Sequence, residues 1–459
     1  MTRESWVSRV GFILAAAGSA VGLGNIWRFP YVAGEGGGAA WIIVYLLIVL
    51  IIGYPMMVTE ISLGRSTQRN VLGTFKSLAP KTPWWLVGAL TILTSVVILS
   101  YYSVVAGWSL AYVFESALGN LGPGVDFQEA FFGHIGSVWP PIIWHAIFML
   151  LTVGIIAAGV VKGIQRWVQI LWPVMGVLLV ILLVRALTLP GAGEGLEWYL
   201  IPDFTHLDAG ALVAAIGQAF FTLSLAMGVI ITYGSYLGRK EEIPGSGGYI
   251  VGMDTGIAIL AGLVIFPAVF AQGLSPDAGV GLAFITLPEV FAEIPWAGAL
   301  FGTLFFVILS VAALTSAISL LEVSVSWLID EKNWPRVKSA VTMGIIIFAL
   351  GIPPTLGYSV WEGVSFKPVA PDFLDFYEFL AEHVFLCVGG LLTSIFAGYV
   401  WGAKKVQDEA NSGVAEGKFK IGNWFIPILK YVIPIIIIVI LILGTIEIIW
   451  PEILPWDPV

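Results

Sequence analysis

The sequence predicts an all-α polytopic membrane protein, and three observations carry that prediction. Of 459 residues, 58% are hydrophobic and only 11% charged, with a mean hydropathy of +0.94; soluble domains carry about 25% charged residues. Eleven stretches are apolar over a length close to the roughly 20 residues a spanning helix needs. Basic residues also collect on alternate links between those stretches, where 18 of the 21 Lys and Arg are found.

Taken in order, the first segment, 10–33, follows Arg3, Glu4 and Arg9 and lacks a small-residue cleavage site, so it reads as a retained span and not a secretory signal. Segment 2 (39–64) holds an acid, Glu60, and segment 3 (86–117) carries Tyr102 at mid-length. Segments 4 (141–160) and 5 (166–188) are joined by a short link with Lys162 and Arg166. Segment 6 (209–237) is interrupted, segment 7 (247–272) bears Asp254, and segment 8 (297–329) bears Glu322. Segment 9 (339–352) is short; segments 10 (374–402) and 11 (424–450) complete the set. The links at 118–140, 189–208, 273–296 and 353–373 are acidic, rich in Pro and Gly, and long enough to pack over an entrance. The link at 403–423 reads as an ordinary solvated loop. The positive-inside rule puts the N-terminus in the cytoplasm. An odd number of spans then puts the C-terminal tail P-E-I-L-P-W-D-P-V outside, as expected of a multi-pass protein of the cell's inner (plasma) membrane. Cys387 is the only cysteine, which excludes an internal disulfide and a cysteine metal cluster. The net charge of −9 argues against nucleic acid as a partner.

The chain is organised around G-S-A-V-G-L-G-N-I-W-R-F-P, Gly18 to Pro30. Glycine weakens a helix and proline removes a donor. A break at membrane depth is tolerated where freed backbone groups line a cavity or bind something. From the kink alone a bent structural helix is an equal reading. Segment 6 shifts the balance: A-A-A-G-S-A (Ala15–Ala20) is echoed by A-A-I-G-Q-A (Ala214–Ala219), followed by F-T-L-S-L-A-M-G (Phe221–Gly228). Five spans separate the two starts, so the units 1–200 and 201–405 would be inverted repeats, leaving 406–459 as an inner loop, span 11 and tail. Inverted repeats with paired broken helices place a transport site at the midplane. There is no G-x-x-x-x-G-K-[ST] for ATP-driven transport and no H-E-x-x-H for an intramembrane protease. An ion gradient would have to supply the driving force, and no enzyme activity is expected.

With G-Q-A-F-F-T-L-S-L in segment 6 and A-L-T-S in segment 8, the Gly18–Pro30 stretch resembles the neurotransmitter:sodium symporter family, in particular its eleven-helix bacterial amino-acid transporters. The resemblance implies the LeuT fold and two sodium sites. The first would use Ala20, Asn25, Thr222 and Asp254 with the substrate carboxylate; the second would use Gly18, Val21 and Ala312 carbonyls with the hydroxyls of Thr315 and Ser316. Oxygen ligands from unwound backbone suit a hard cation, although Thr315 and Ser316 could instead back-bond to a helix carbonyl. It further implies a substrate site in which Gly24 and Tyr102 hold a carboxylate and Ala20, Phe221, Thr222 and Ser224 hold an ammonium. Ile98, Phe221, Met227, Ser316 and Leu320 would line the side-chain pocket. Arg28 and Asp375 would form the outer gate under a Phe221 lid, and Arg3, Trp6, Tyr236 and Asp330 the inner gate. Gly163 and Pro173 would be a hinge that unwinds segment 5 at its cytoplasmic end.

Glu60 is expected to brace the unwound segment 6 by accepting its free amides, whereas Glu322 has no evident role. Two departures from the commoner family pattern matter. Gly22 stands where amine-carrying members have an Asp, so the substrate should bring its own carboxylate. Asp254, with Ala258 four residues on, offers a fixed negative charge where a chloride-dependent member would hold the anion, and two negative charges there would repel. Buried, Asp254 should be partly protonated once sodium leaves. The expectation is a chloride-independent sodium symporter of neutral hydrophobic L-amino acids, working by alternating access in the lipid bilayer. A carrier of glycine or an osmolyte, a transport-dead amino-acid sensor, or a gated channel are the rivals.

Overall fold

The computed structural model describes residues 5–207, 209–274, 279–294 and 297–449. Thirteen helical pieces form the membrane body: α1 (Arg9–Ala20), α2 (Gly24–Glu35), α3 (Ala39–Thr67), α4 (Trp85–Ala117), α5 (Trp139–Ala157), α6 (Val160–Leu187), α7 (Ala209–Thr222), α8 (Val229–Gly234), α9 (Pro244–Ala271), α10 (Gly298–Lys332), α11 (Arg336–Leu356), α12 (Phe373–Val400) and α13 (Phe425–Ile446). Nine of these are long and apolar enough to cross a membrane singly, and α1 with α2, bent by 49° at their junction, make a tenth span. Expected segment 6 is divided between α7 and α8, each too short alone, so ten spans among the described residues pass on length and composition.

The long helices α4 and α10 share the most extensive packing in the molecule, and the breaks lie against them. Their positions match the polarity of the chain: on α4 the side chains of Ile98, Leu99, Tyr101 and Tyr102 are all buried, and on α10 those of Thr315, Ser316, Ser319 and Leu320. α3 approaches α8 closely at Gly64, where a Cβ would run into the Ile231 carbonyl. Glycine there lets two helices touch backbone to backbone.

Several expectations change. The short ninth segment is a full helix, Arg336–Leu356, because it starts in the charged Arg336–Lys338 turn and runs on through Pro353 and Pro354, both outside the apolar stretch. The 403–423 link is not simply solvated: Ala403–Asn411 is an amphipathic helix whose Val406, Gln407 and Ala410 are buried. Its Glu409 pairs with Arg65, a fully buried arginine at the end of α3. The acidic links carry short helices of their own, Phe127–Ile135, Ala192–Leu200 and Thr286–Ala292. The tail from Pro451 and the gate residue Arg3 lie outside the described residues.

Candidate functional site between the broken helices

The two interruptions face each other. α1 ends at Ala20, and the chain restarts as a π-helical turn at Gly24–Arg28. Asn25 closes the gap from within: its Oδ1 accepts the Gly22 N–H at 3.0 Å. On the other side, α7 ends at Thr222, and Ser224 and Ala226 adopt left-handed φ values of 53° and 62° before Gly228 opens α8. Non-glycine residues in that region cost about 1–3 kcal/mol each and persist only when their surroundings hold them. Glu60 of α3 supplies part of that hold, accepting the Ala226 N–H at 2.7 Å as the sequence suggested.

Asp254 on α9 ties the two breaks together. Its Oδ1 accepts from Asn25 Nδ2 at 2.8 Å and from Thr222 Oγ1 at 2.9 Å, and its backbone carbonyl accepts from Asn25 Nδ2 at 3.1 Å. The side chain is fully buried, and its Oδ2 has no hydrogen-bond partner. A buried carboxylate oxygen without a donor is costly unless a cation answers it. The open carboxylate oxygen fits a hard alkali cation. Three of the four residues expected at the first sodium site, Asn25, Thr222 and Asp254, therefore meet at one junction, and the fourth, Ala20, lines the cavity with Thr222.

Most of the second set is also drawn together. Thr315 Oγ1 lies 2.9 Å from the Ala312 carbonyl and 3.4 Å from that of Val21; Ser316 Oγ donates to the Ser19 carbonyl at 2.8 Å and reaches Val21 O at 3.5 Å. The Thr315 contact is the i−3 back-bond considered above, so that hydroxyl satisfies its own helix while facing α1. Gly18 packs on α6, where a Cβ would lie 2.9 Å from Trp172 Nε1.

A small cavity between the breaks is lined by Ala20, Gly24, Ile98, Tyr102, Phe221, Thr222, Ser224, Met227, Ser316 and Leu320, the whole substrate set read from sequence, and in addition by Ser19 and Gly22. Tyr102 Oη accepts the Leu23 N–H at 3.0 Å. A Cβ on Gly22 would collide with Ser316 and come within 2.6 Å of Tyr102 Oη, so no acid fits at that position without displacing the cavity wall.

Arg28 covers the cavity, its guanidinium 5.4 Å from the centre of the Phe221 ring. Asp375 is not its partner. Arg28 pairs instead with Glu382 at 2.6 Å and Glu378 at 3.5 Å, and Nη1 donates to Gln218 Oε1 at 2.9 Å. Asp375 stands in the first turn of α12, one and two turns before these acids, with its N–H donated to the Asp372 cap. The signal was present in the sequence: Asp375, Glu378 and Glu382 share one helix face at i, i+3 and i+7.

At the opposite end, Trp6 is buried against Tyr233 and Tyr236; its indole donates to the Tyr233 carbonyl at 3.0 Å and its N–H to the Tyr236 carbonyl at 3.1 Å. Tyr236 Oη donates to Glu322 at 2.6 Å, and Glu322 receives Arg336 through both oxygens at 2.7 and 3.0 Å. This gives Glu322 its place: it anchors Tyr236. Asp330 accepts from the Asn70 N–H at 2.8 Å, tying α10 to the start of helix Val71–Leu78. The expected unwinding of segment 5 is not seen here. The irregular turn is Val160–Gln165, π-helical and containing Gly163, and the α-helix then runs unbroken through Pro173.

The chain matches the sodium:neurotransmitter symporter family over residues 3–124 and 130–454. It belongs to that family. It is 38% identical over 441 residues to the uncharacterized sodium-dependent transporter YhdH of Bacillus subtilis (strain 168), covering 95% of this chain and 96% of that one. An uncharacterized sodium-dependent transporter of Haemophilus influenzae is 35% identical, with 96% and 98% covered. The crystal structure of MhsT in complex with L-phenylalanine superposes with a TM-score of 0.88 at 44% identity, covering 96% of this chain and 99% of that one. This symporter thus has the all-helical LeuT fold and is a multi-pass membrane protein of a family of sodium-coupled transporters, not of enzymes.

Proposed function

We propose that this symporter imports neutral hydrophobic L-amino acids, with two sodium ions, by alternating access. The observation that carries the reading is the junction at Asp254. One oxygen is fixed by both broken helices and the other is buried and open to a cation, directly beside a cavity with an apolar wall of Ile98, Phe221, Met227 and Leu320. Sodium there would bring α2, α7 and α9 into the arrangement the cavity needs, so ion and substrate would each strengthen the other's binding. The neighbouring transporter crystallised with L-phenylalanine supports the hydrophobic class. Gly24 and Tyr102 would orient the carboxylate, and the carbonyls of Ala20, Phe221 and Thr222 with Ser224 the ammonium. Thr315 and Ser316 with Gly18, Val21 and Ala312 would hold the second ion.

Asp254 also supports chloride independence, since its carboxylate supplies the negative charge that an anion would otherwise bring. Arg28 with Glu382 and Glu378 would close the outer side, and Trp6, Tyr236 and Glu322 the inner side. Gly163 and Pro173 would flex α6 when sodium leaves. The clustering of Lys and Arg on alternate links favours a cytoplasmic N-terminus and an extracellular C-terminus in the plasma membrane.

Purified protein in detergent tests this: labelled phenylalanine is competed with each of the twenty amino acids, in sodium and in potassium, and in chloride and in gluconate. Large apolar and aromatic amino acids should compete in sodium regardless of the anion, and tyramine should compete far more weakly than tyrosine. Competition confined to glycine, or binding that is lost in gluconate, contradicts the reading.

A further inference from the structure

Resting on the amino-acid reading above, the cavity's serines say which side chains it prefers. Four serines from three elements form one buried patch: Ser19 of α1, Ser224 of the α7–α8 turn, and Ser316 and Ser319 of α10. Ser19, Ser224 and Ser316 line the cavity directly. A serine hydroxyl has one proton to donate and two lone pairs to offer, so the direction of each proton can be followed. Ser319 Oγ donates to the Ser316 carbonyl at 2.7 Å, Ser316 Oγ to the Ser19 carbonyl at 2.8 Å, and Ser224 Oγ to the Ser19 carbonyl at 3.1 Å. Ser19 Oγ lies 2.5 Å from Ser319 Oγ and donates to Ser224 Oγ at 3.1 Å. Because the Ser319 and Ser224 protons are already committed, the Ser19 proton lies between those two oxygens. All four protons then point into the protein. What the patch turns toward the cavity is lone pairs, beside an otherwise apolar wall.

We infer that Ser19, held as an acceptor by Ser224 and Ser319, selects substrates whose side chain carries a hydrogen-bond donor: the phenol of tyrosine or the indole N–H of tryptophan in preference to phenylalanine or leucine. Ser19 lines the cavity and would meet that donor. A donor entering the patch completes it, whereas a methyl or bare ring leaves buried acceptors unmet. One hydrogen bond of this kind gives a preference of roughly 3- to 10-fold.

The test is sodium-dependent equilibrium binding of four ligands: tyrosine, phenylalanine, tryptophan and 1-methyltryptophan. Wild type should prefer tyrosine over phenylalanine and tryptophan over its N-methyl analogue by that factor, and Ser19→Ala should bring both ratios to about one. Ser319→Ala leaves Ser224 Oγ to take the Ser19 proton, so both ratios should persist in that variant. Ratios near one in wild type, or ratios unchanged in Ser19→Ala, overturn the inference while leaving amino-acid transport standing. Absence of sodium-dependent binding for all four ligands overturns the transport reading itself and this inference with it.

Discussion

The two ends of the cavity are closed in different ways. Toward the acidic links, one guanidinium lies over the Phe221 ring, held by Glu382, Glu378 and Gln218. Toward the basic links the closure has several layers. Trp6 wedges against Tyr233 and Tyr236, Tyr236 is fastened through Glu322 to Arg336, Arg9 pairs with Glu242 at 2.7 Å, and Arg65 binds Glu409 at 2.8 Å. A closure that depends on one cation can open by losing one set of contacts and fails altogether when that cation is removed. A layered closure loses its members singly. The difference suits the orientation proposed above, in which the Arg28 end faces outward and admits substrate and the Trp6 end faces inward and stays shut until the ions are in place.

The largest effect should come from Arg28→Gln. It leaves the buried Glu382 and the partly buried Glu378 without a counter-charge, and breaking a buried pair costs about 3–5 kcal/mol. Sodium-driven uptake in proteoliposomes should fall by roughly 100-fold or more; uptake within threefold of wild type would remove Arg28 from the closure. Next in size is the contrast among the three acids of α12. Glu382→Gln should weaken uptake by about tenfold, Glu378→Gln by less, and Asp375→Asn least of all, following the 2.6 Å and 3.5 Å contacts of the first two with Arg28. The reverse order would restore Asp375 as the gate acid.

On the inner side the effects should be smaller. Tyr236→Phe removes a single bond to a carboxylate, about 1.5–3 kcal/mol if nothing compensated, but Trp6 and Arg336 remain. Substrate affinity measured at saturating sodium should fall by less than tenfold, and a loss equal to that of Arg28→Gln would show that the layers act as one. Smallest is Arg9→Gln, whose side chain is 25% exposed. Solvent-screened pairs contribute about 0–1 kcal/mol, so uptake should stay within about threefold of wild type.

How much of this was legible beforehand follows from the range of each interaction. The breaks were visible because Gly, Asn and Pro sit where an apolar helix should continue, and the cavity wall was implied by the family resemblance that those stretches carry. Glu60 could be assigned because a buried acid must meet a donor, and unwound backbone offers one. The partner of Arg28 was misread because Asp375, Glu378 and Glu382 share a face, and only the depth of the helix selects among them. Glu322 had no reading because its partners, Tyr236 and Arg336, come from two other elements. Nothing in the sequence marks Ser19 and Ser319, because a serine in an apolar helix ordinarily bonds its own backbone; only the meeting of α1 with α10 turns them into a patch. The turn at Val160–Gln165 and the buried helix Ala403–Asn411 likewise depend on neighbours distant in sequence.

The central claim is that a sodium ion at Asp254 couples the two breaks and drives uptake. Proteoliposomes loaded with potassium and diluted into sodium, with labelled phenylalanine outside, test it most directly. Wild type should accumulate phenylalanine above its outside concentration while the sodium gradient lasts and release it when the gradient is collapsed, and Asp254→Ala should do neither. Accumulation that persists with sodium equal on both sides, or that survives in Asp254→Ala with unchanged sodium dependence, would contradict the account.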